Sequence, residues 1–341
     1  MGSTGVANVT NSSIEPDGTV HLVWDWQVQY VRGNLSDGSS GTTVYVGSGQ
    51  KPDVTHDTTG LAHIVWVGMS GDTNFHYTTV NDANQVQNSQ ILKAYTAIDY
   101  PEPTVAAGPD DEVHIVFADA PTSLYYMHGT PGNFSIPEVI FTDALNPEFL
   151  SDPEITVDGD GHVHLVYIGP SYSQVRYAYR DLDGTWSPST DVAQGVSFTN
   201  VRPAIAVDSE GFVHIAFNGA SPWHCRYTNN RSGSFIVPVQ CDSAGAGNSN
   251  GRVGVTCDRD GNAYVIWYGG SPLEVSMAMY DTSNIKLQET QLSENASYDG
   301  AFPAVASVID PCYSSDVSVL ATWKTFPGFN PPQIARIQTD Y

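Results

Sequence analysis

Short apolar runs recur along the whole chain, each ending in an aromatic residue and each preceded by a turn rich in Gly, Asp or Glu. They read GTVHLVW, GLAHIVW, DEVHIVF, GHVHLVY, GFVHIAF and GNAYVIW. Their fourth letters are His21, His63, His114, His164, His214 and Tyr264, spaced by 42, 51, 50, 50 and 50 residues. A weaker seventh copy runs from Asp316 to Trp323. Before each run stands a segment opened by Pro, such as Pro153 to Asp158; after it come a polar loop and a run centred on Tyr77, Tyr126, Tyr177 or Tyr227. Turns such as Leu182-Asp183-Gly184 lead to a fourth segment, Thr185-Trp186-Ser187. Short β-branched and aromatic runs bounded by Gly, Asp and Asn are strand and hairpin signals, and no window sustains a helical period. Along one such strand Val163, Leu165 and Tyr167 fall on one face, and His164 and Val166 on the other. Both faces are mostly apolar, as expected of a sheet covered on both sides.

Four strands per unit, repeated radially, predict an all-β fold: a seven-bladed β-propeller with four-stranded antiparallel blades of about fifty residues. The chain reads as one domain over 1–341, with blades at roughly 9–49, 50–100, 101–151, 152–201, 202–251, 252–301 and 302–341. The last unit ends after its third strand. Residues 5–9 are therefore expected to add the fourth, which hides two sheet edges.

The P-x-[IV]-x-[VT]-D-x-x-G-x-[VA]-H-[IL]-[VA]-[WFY] units resemble the BNR/sialidase-like seven-bladed propellers over almost the whole length. That group includes sugar-binding modules, polysaccharide lyases and scaffolds, so the resemblance implies a carbohydrate-linked, secreted or surface protein. The Asp-box of the sialidases, Ser-x-Asp-x-Gly-x-x-Trp, is echoed only in part by Asp181 to Trp186.

Charge narrows the partners. The formal net charge is −24, with 13 Lys and Arg together. Phosphate recognition needs a basic footprint, so nucleic acid and anionic membrane surfaces are not expected partners. No apolar stretch reaches the length of a membrane span, and Met1 to Gly5 lacks the pattern of a signal peptide. Sequons at Asn8, Asn11, Asn34, Asn133, Asn230 and Asn295 fit an extracellular or cell-surface location. Cys225, Cys241, Cys257 and Cys312 have no CxxC spacing, which argues against zinc. Cys225 and Cys241 flank a hairpin and face each other if it pairs in register; a disulfide there is one of the alternatives.

The repeated histidines are expected to be packed strand residues, hydrogen-bonded to backbone or to the strand Asp nearby, because symmetric copies in five blades cannot converge. Asp158-Gly159-Asp160-Gly161 and Asp258-Arg259-Asp260-Gly261 bring carboxylates close enough for Ca²⁺. Tight turns need the same residues for left-handed geometry and local hydrogen bonds, and that is the reading adopted. No other cofactor is expected.

The residue before each strand-opening Pro is where the copies disagree: Lys51, Glu102, Asp152, Arg202, Arg252 and, in the last unit, Phe302. These are expected to ring one mouth of the central channel. The guanidinium pair suits a carboxylate or sulfate, which its planar fork binds bidentately; the alternative is that the charges pair with one another. Loops on the same face offer Asp25, Trp26, Asp72, Asp119, Tyr172, Trp223 and His224. Longer loops between blades add Tyr95, Asp99, Tyr100, Asn146, Phe149, Phe198, Asn200 and Tyr298. Ligand binding is therefore expected at Lys51, Glu102, Asp152, Arg202, Arg252, Tyr172, Trp223 and His224. The primary reading is glycan binding. The alternatives are a polysaccharide lyase or glycosidase acting on an acidic polysaccharide, with Tyr172 and His224 catalytic, and a scaffold whose rim binds protein. No role is expected for His56, His76 or His128.

Overall fold

A computed structural model describes residues 10–24, 27–34, 39–69, 71–95, 102–119, 123–142, 151–169, 174–194, 203–219, 224–243, 253–269, 274–292, 302–303, 307–308, 317–324 and 333–339. All regular structure among them is β-strand, and every pairing is antiparallel. Consecutive strands form one sheet before the next begins. The second sheet is typical: Gln50–His56, Ala62–Val67, Asn74–Val80 and Val86–Ala94 lie side by side in chain order. Sheets of the same order open with Thr10–Ile14, Glu102–Ala107, Ser151–Val157, Ala204–Val207 and Val253–Cys257. In the last sheet, Phe302–Pro303 and Ser307–Val308 both pair with Val317–Lys324, which also pairs with Gln333–Thr339. Residues 5–9, expected to extend this sheet, lie outside the described residues. The fourth strand of the fourth sheet is Thr190–Gln194 rather than Thr185 to Ser187; Trp186 makes only an isolated bridge to Arg180.

The hairpin joining the first two strands shows why the repeat folds locally. Asp158 N–H donates to His162 O and Gly161 N–H to Asp158 O, at 3.0 and 3.1 Å. Gly161 takes φ of 96° there, a left-handed conformation that glycine adopts without steric cost. Asp158 Oδ1 accepts the N–H groups of Asp160 and His162. Asp57, Asp208 and Asp258 do the same in their own turns. These aspartates thus fold the turn, the chemistry that Asx residues bring to tight turns.

The first strands are the innermost. Thr10–Ile14 lies beside Gln50–His56, which lies beside Glu102–Ala107, and the series continues through Ser151–Val157, Ala204–Val207 and Val253–Cys257 to Ser307–Val308. Ser307–Val308 in turn lies beside Thr10–Ile14. Cores form between sheets. Val163, Leu165 and Tyr167 pack with Val116, Ala118 and Tyr126 of the sheet before. Val166, Ile168 and Tyr177 pack with Val213, Ile215 and Phe217 of the sheet after. Buried Asp53 ties three of the inner strands. Its Oδ1 accepts from Asn11 Nδ2 at 2.7 Å, and its Oδ2 accepts the Val105 N–H at 2.8 Å.

The repeated histidines occupy this packed interior. In five sheets the Nδ1 atom meets the hydroxyl of the third-strand tyrosine: His21–Tyr30, His63–Tyr77, His114–Tyr126, His164–Tyr177 and His214–Tyr227, at 2.7 to 2.8 Å. In four of them Nε2 meets a turn carboxylate: Glu15, Asp57, Asp158 or Asp208, at 2.8 to 3.2 Å. A carboxylate only accepts, so Nε2 carries the proton and Nδ1 accepts from the phenol. Burial raises the pKa of all five phenols, keeping them protonated donors. In the sixth sheet both partners change together. Tyr264 replaces the histidine and donates to Asp258 Oδ2 at 3.0 Å, and Met277 stands where the tyrosine would be.

Candidate functional site

The last residues of the second strands pair with the first residues of the first strands, Val67 with Gln50, Ala118 with Glu102 and Ile168 with Ser151, so these ends share one edge of each sheet, the face on which the mouth is expected. Lys51 and Glu102, expected at its centre, pair with each other: Lys51 Nζ is 2.6 Å from Glu102 Oε1. Lys51 and Asp152 take φ of 53° and 51°, each within a bulge that interrupts pairing of its inner strand. Left-handed non-glycine residues are uncommon, and a bulge re-aims a side chain away from the ladder. Ser151 Oγ donates to Asp152 Oδ2 at 2.6 Å. Arg202, Arg252, Tyr172 and Trp223 lie outside the described residues, as do Asp25, Trp26, Asp99, Tyr100, Asn146, Phe149, Phe198, Asn200 and Tyr298. Tyr95 is described, and its hydroxyl donates to Asp72 O at 3.2 Å.

The structure reveals a second repeated position on this face, one residue before the third-strand tyrosine. Each such residue lies opposite the aromatic that ends the second strand: His76 opposite Trp66, Tyr125 opposite Phe117, Arg176 opposite Tyr167 and Arg226 opposite Phe217. His76 stacks on Trp66, with centroids 5.1 Å apart and planes 10° apart. Tyr125 stacks on Phe117 at 5.6 Å and 6°. All four are half-buried. Glycines at the end of the second strand make the room. A Cβ on Gly219 would come within 2.5 Å of Arg226 Nε, and one on Gly169 within 3.0 Å of Arg176 Cδ.

Acidic partners accompany most of these residues. His76 Nε2 meets Asp72 Oδ2 at 2.7 Å. Arg176 Nε is 2.9 Å from Asp191 Oδ1. Lys93 pairs with buried Asp119, and its ammonium sits 4.7 Å from the Tyr125 ring centroid. Asp72 and Asp119, read from sequence as loop-face carboxylates, are thus both held by a cation or an imidazole. The repeat shows this position only when each unit is aligned on its third-strand tyrosine, where Gln29, His76, Tyr125, Arg176, Arg226 and Ser276 differ in size and charge.

His224 stands on the same face. Its Nδ1 meets Asp242 Oδ2 at 2.7 Å, and Asp242 is buried while His224 is partly open. Histidine and aspartate lie just past the ends of adjoining strands, two residues beyond the Arg226–Gln240 pair. Among the described residues Nε2 of His224 meets no hydrogen-bond partner. Buried Asp242 holds the ring through Nδ1, the kind of contact that orients an imidazole for proton transfer through Nε2.

No protein-family model matches the sequence. No curated protein matches it either. Solved structures do. A hydrazine synthase structure from Kuenenia stuttgartiensis aligns over 99% of this chain and 97% of that one, with TM-score 0.68 and 11% identity. A polysaccharide lyase (ulvan lyase) bound to -[GlcA(1-4)Rha3S]- covers 99% and 95%, with TM-score 0.64 and 11% identity. Aleuria aurantia lectin in complex with Fucalpha1-6GlcNAc covers 84% and 95%, with TM-score 0.57 and 8% identity. The fold is β-propeller-like. At such identities the likeness concerns the fold alone, and function has to be argued from the site.

Proposed function

We propose that this chain is a secreted or surface carbohydrate-binding protein, built as a closed seven-bladed β-propeller, whose ligand face carries the loops around the inner strands. Closure is supported by the first inner strand lying beside both the second and the last. The observation that carries the binding role is the row of half-buried His76, Tyr125, Arg176 and Arg226, each seated opposite a buried second-strand aromatic. A sugar presents hydroxyl groups to directed polar partners, and these imidazole, phenol and guanidinium groups supply them. Arg202 and Arg252, at the expected mouth, suit a carboxylate or sulfate on an acidic polysaccharide. A glycan array that includes uronate and sulfated polymers tests the reading. Binding is expected, and Arg226→Ala or Trp223→Ala should weaken it by about tenfold or more; no binding to any glycan class overturns it.

A second reading, a polysaccharide lyase, is favoured by the His224–Asp242 pair. Nε2 of His224 would take the proton α to a uronate carboxylate as the neighbouring C–O bond breaks, and Tyr172 would return a proton to the leaving oxygen. Arg202 and Arg252 would neutralise the carboxylate as charge develops on it. Release of unsaturated uronate, followed by ultraviolet absorbance, is expected with wild type and lost in His224→Ala. Silence across acidic polysaccharides removes the reading and leaves glycan binding standing.

A further inference from the structure

Immediately inside the His224–Asp242 pair lie two cysteines. Cys225 and Cys241 directly adjoin the Arg226–Gln240 pair of the third and fourth strands of the fifth sheet. The Cys241 N–H donates to Cys225 O at 2.8 Å. In a hydrogen-bonded antiparallel pair the Cα atoms stand about 5.5 Å apart, within the range that a disulfide spans. Both residues are fully buried and are free thiols in this structure, in hydrogen-bonding contact with each other. Here the fourth strand is only Val239–Gln240, against Val86–Ala94 in the second sheet and Lys286–Gln291 in the sixth. The sheet that positions the His–Asp pair therefore has a short backbone ladder where that pair is held.

We propose that Cys225 and Cys241 are joined by a disulfide that staples the short fourth strand to the third and so fixes the spacing of His224 and Asp242. The two thiols give up two protons and two electrons as the S–S bond forms, and a protein or small-molecule disulfide accepts them and is reduced to two thiols. Burial pushes the Cys225 thiol well up, so in the folded chain it is a poor nucleophile. The bond therefore forms during folding, before the strand packs, and is afterwards shielded from reductants. Cys257 lies on the inner strand of the next sheet, away from this cross-strand register.

Peptide mapping after alkylation under denaturing, non-reducing conditions tests the linkage on the wild-type protein made in an oxidising compartment. A peptide joining Cys225 to Cys241 is expected. Free alkylated Cys225 and Cys241, or a link from either to Cys257 or Cys312, overturns the proposal. Reduction in mild denaturant, which opens the buried bond, should lower Tm by about 5 °C, since the enclosed loop of residues 226–240 has the length for which such bonds are substantially stabilising. The C225A/C241A double variant should show no response to reductant; a reductant-dependent Tm that persists in it overturns the assignment. The effect on the His–Asp pair rests on the proposed function, whereas the linkage does not. Glycan affinity is expected to fall several-fold on reduction. An unchanged affinity in a protein whose linked peptide is present would remove the positioning role and leave the linkage intact.

Discussion

Burial sets two of the repeated histidines, His114 and His164, against protonation. Burial drives His114 from its ordinary value down to about 4, with the Glu112 carboxylate only partly opposing it. His164 is lowered for the same reason, despite its bond to Asp158. Such a group is neutral in the folded protein while the unfolded chain takes up a proton near pH 6.5. The stability it confers is present above pH 6.5 and declines as pH falls toward the folded value. For His114 the decline amounts to about 3 kcal/mol. Aspartates act later. Burial raises Asp57, but hydrogen bonds from His63, Thr59 and Leu61 outweigh it and hold the carboxyl well below its usual range. Its contribution survives above ordinary carboxylate pKa values and is lost below them. Thermal melts between pH 8 and 3 should therefore show two declines, and H114Q should flatten the upper one selectively. The sixth sheet offers a complementary test. Tyr264→His alone leaves the new imidazole without its phenol, whereas Tyr264→His with Met277→Tyr restores the arrangement of the other five sheets. A double-mutant cycle by denaturant unfolding should return a favourable coupling of about 1 kcal/mol.

At the scale of strands and turns, the inner layer is joined by polar side chains as well as by packing. Asp53→Ala would leave the Val105 N–H and the Asn11 amide without their carboxylate, at a cost of about 3 kcal/mol in total. A lower denaturant midpoint with an unchanged m-value is the expected signature. Strand order, turn positions and the packing role of the histidines were legible in the sequence, because apolar alternation and Asp–Gly spacing are local properties repeated many times over. Of the partners of those histidines, the nearby strand aspartate was legible and the tyrosine hydroxyl was not. Tyr227 precedes no motif and lies thirteen residues beyond His214, so only the register of the hairpin brings ring and phenol together. The same reason hid the row of His76, Tyr125, Arg176 and Arg226, whose common feature is what each lies opposite. Lys51 and Glu102 were legible as neighbours on one face, but their direct pairing depends on the bulge that turns Lys51.

For the whole molecule the dominant long-range quantity is charge. A formal value of −24 makes the compact state repel itself. Raising ionic strength from about 0.01 to 0.15 M shortens the screening length from roughly 30 to 8 Å. The expected outcome is a rise in Tm over that interval, measured with a simple monovalent salt; a flat or falling curve would mean that ion pairs such as Arg231 with buried Asp208 and exposed Glu210 outweigh the net repulsion. Synthesis adds a different demand. Ile14, Val20, Leu22, Trp24 and Val31 form an apolar face of the first sheet, and the strands beside Thr10–Ile14 on that side are Ser307–Val308 and Val317–Lys324. A ribosome delivers the first sheet long before the strands that cover it. Until Val317–Lys324 emerges that face has no such cover, so the sheet is completed well after it is made. A nascent chain halted anywhere before residue 324 is therefore a natural client for a chaperone.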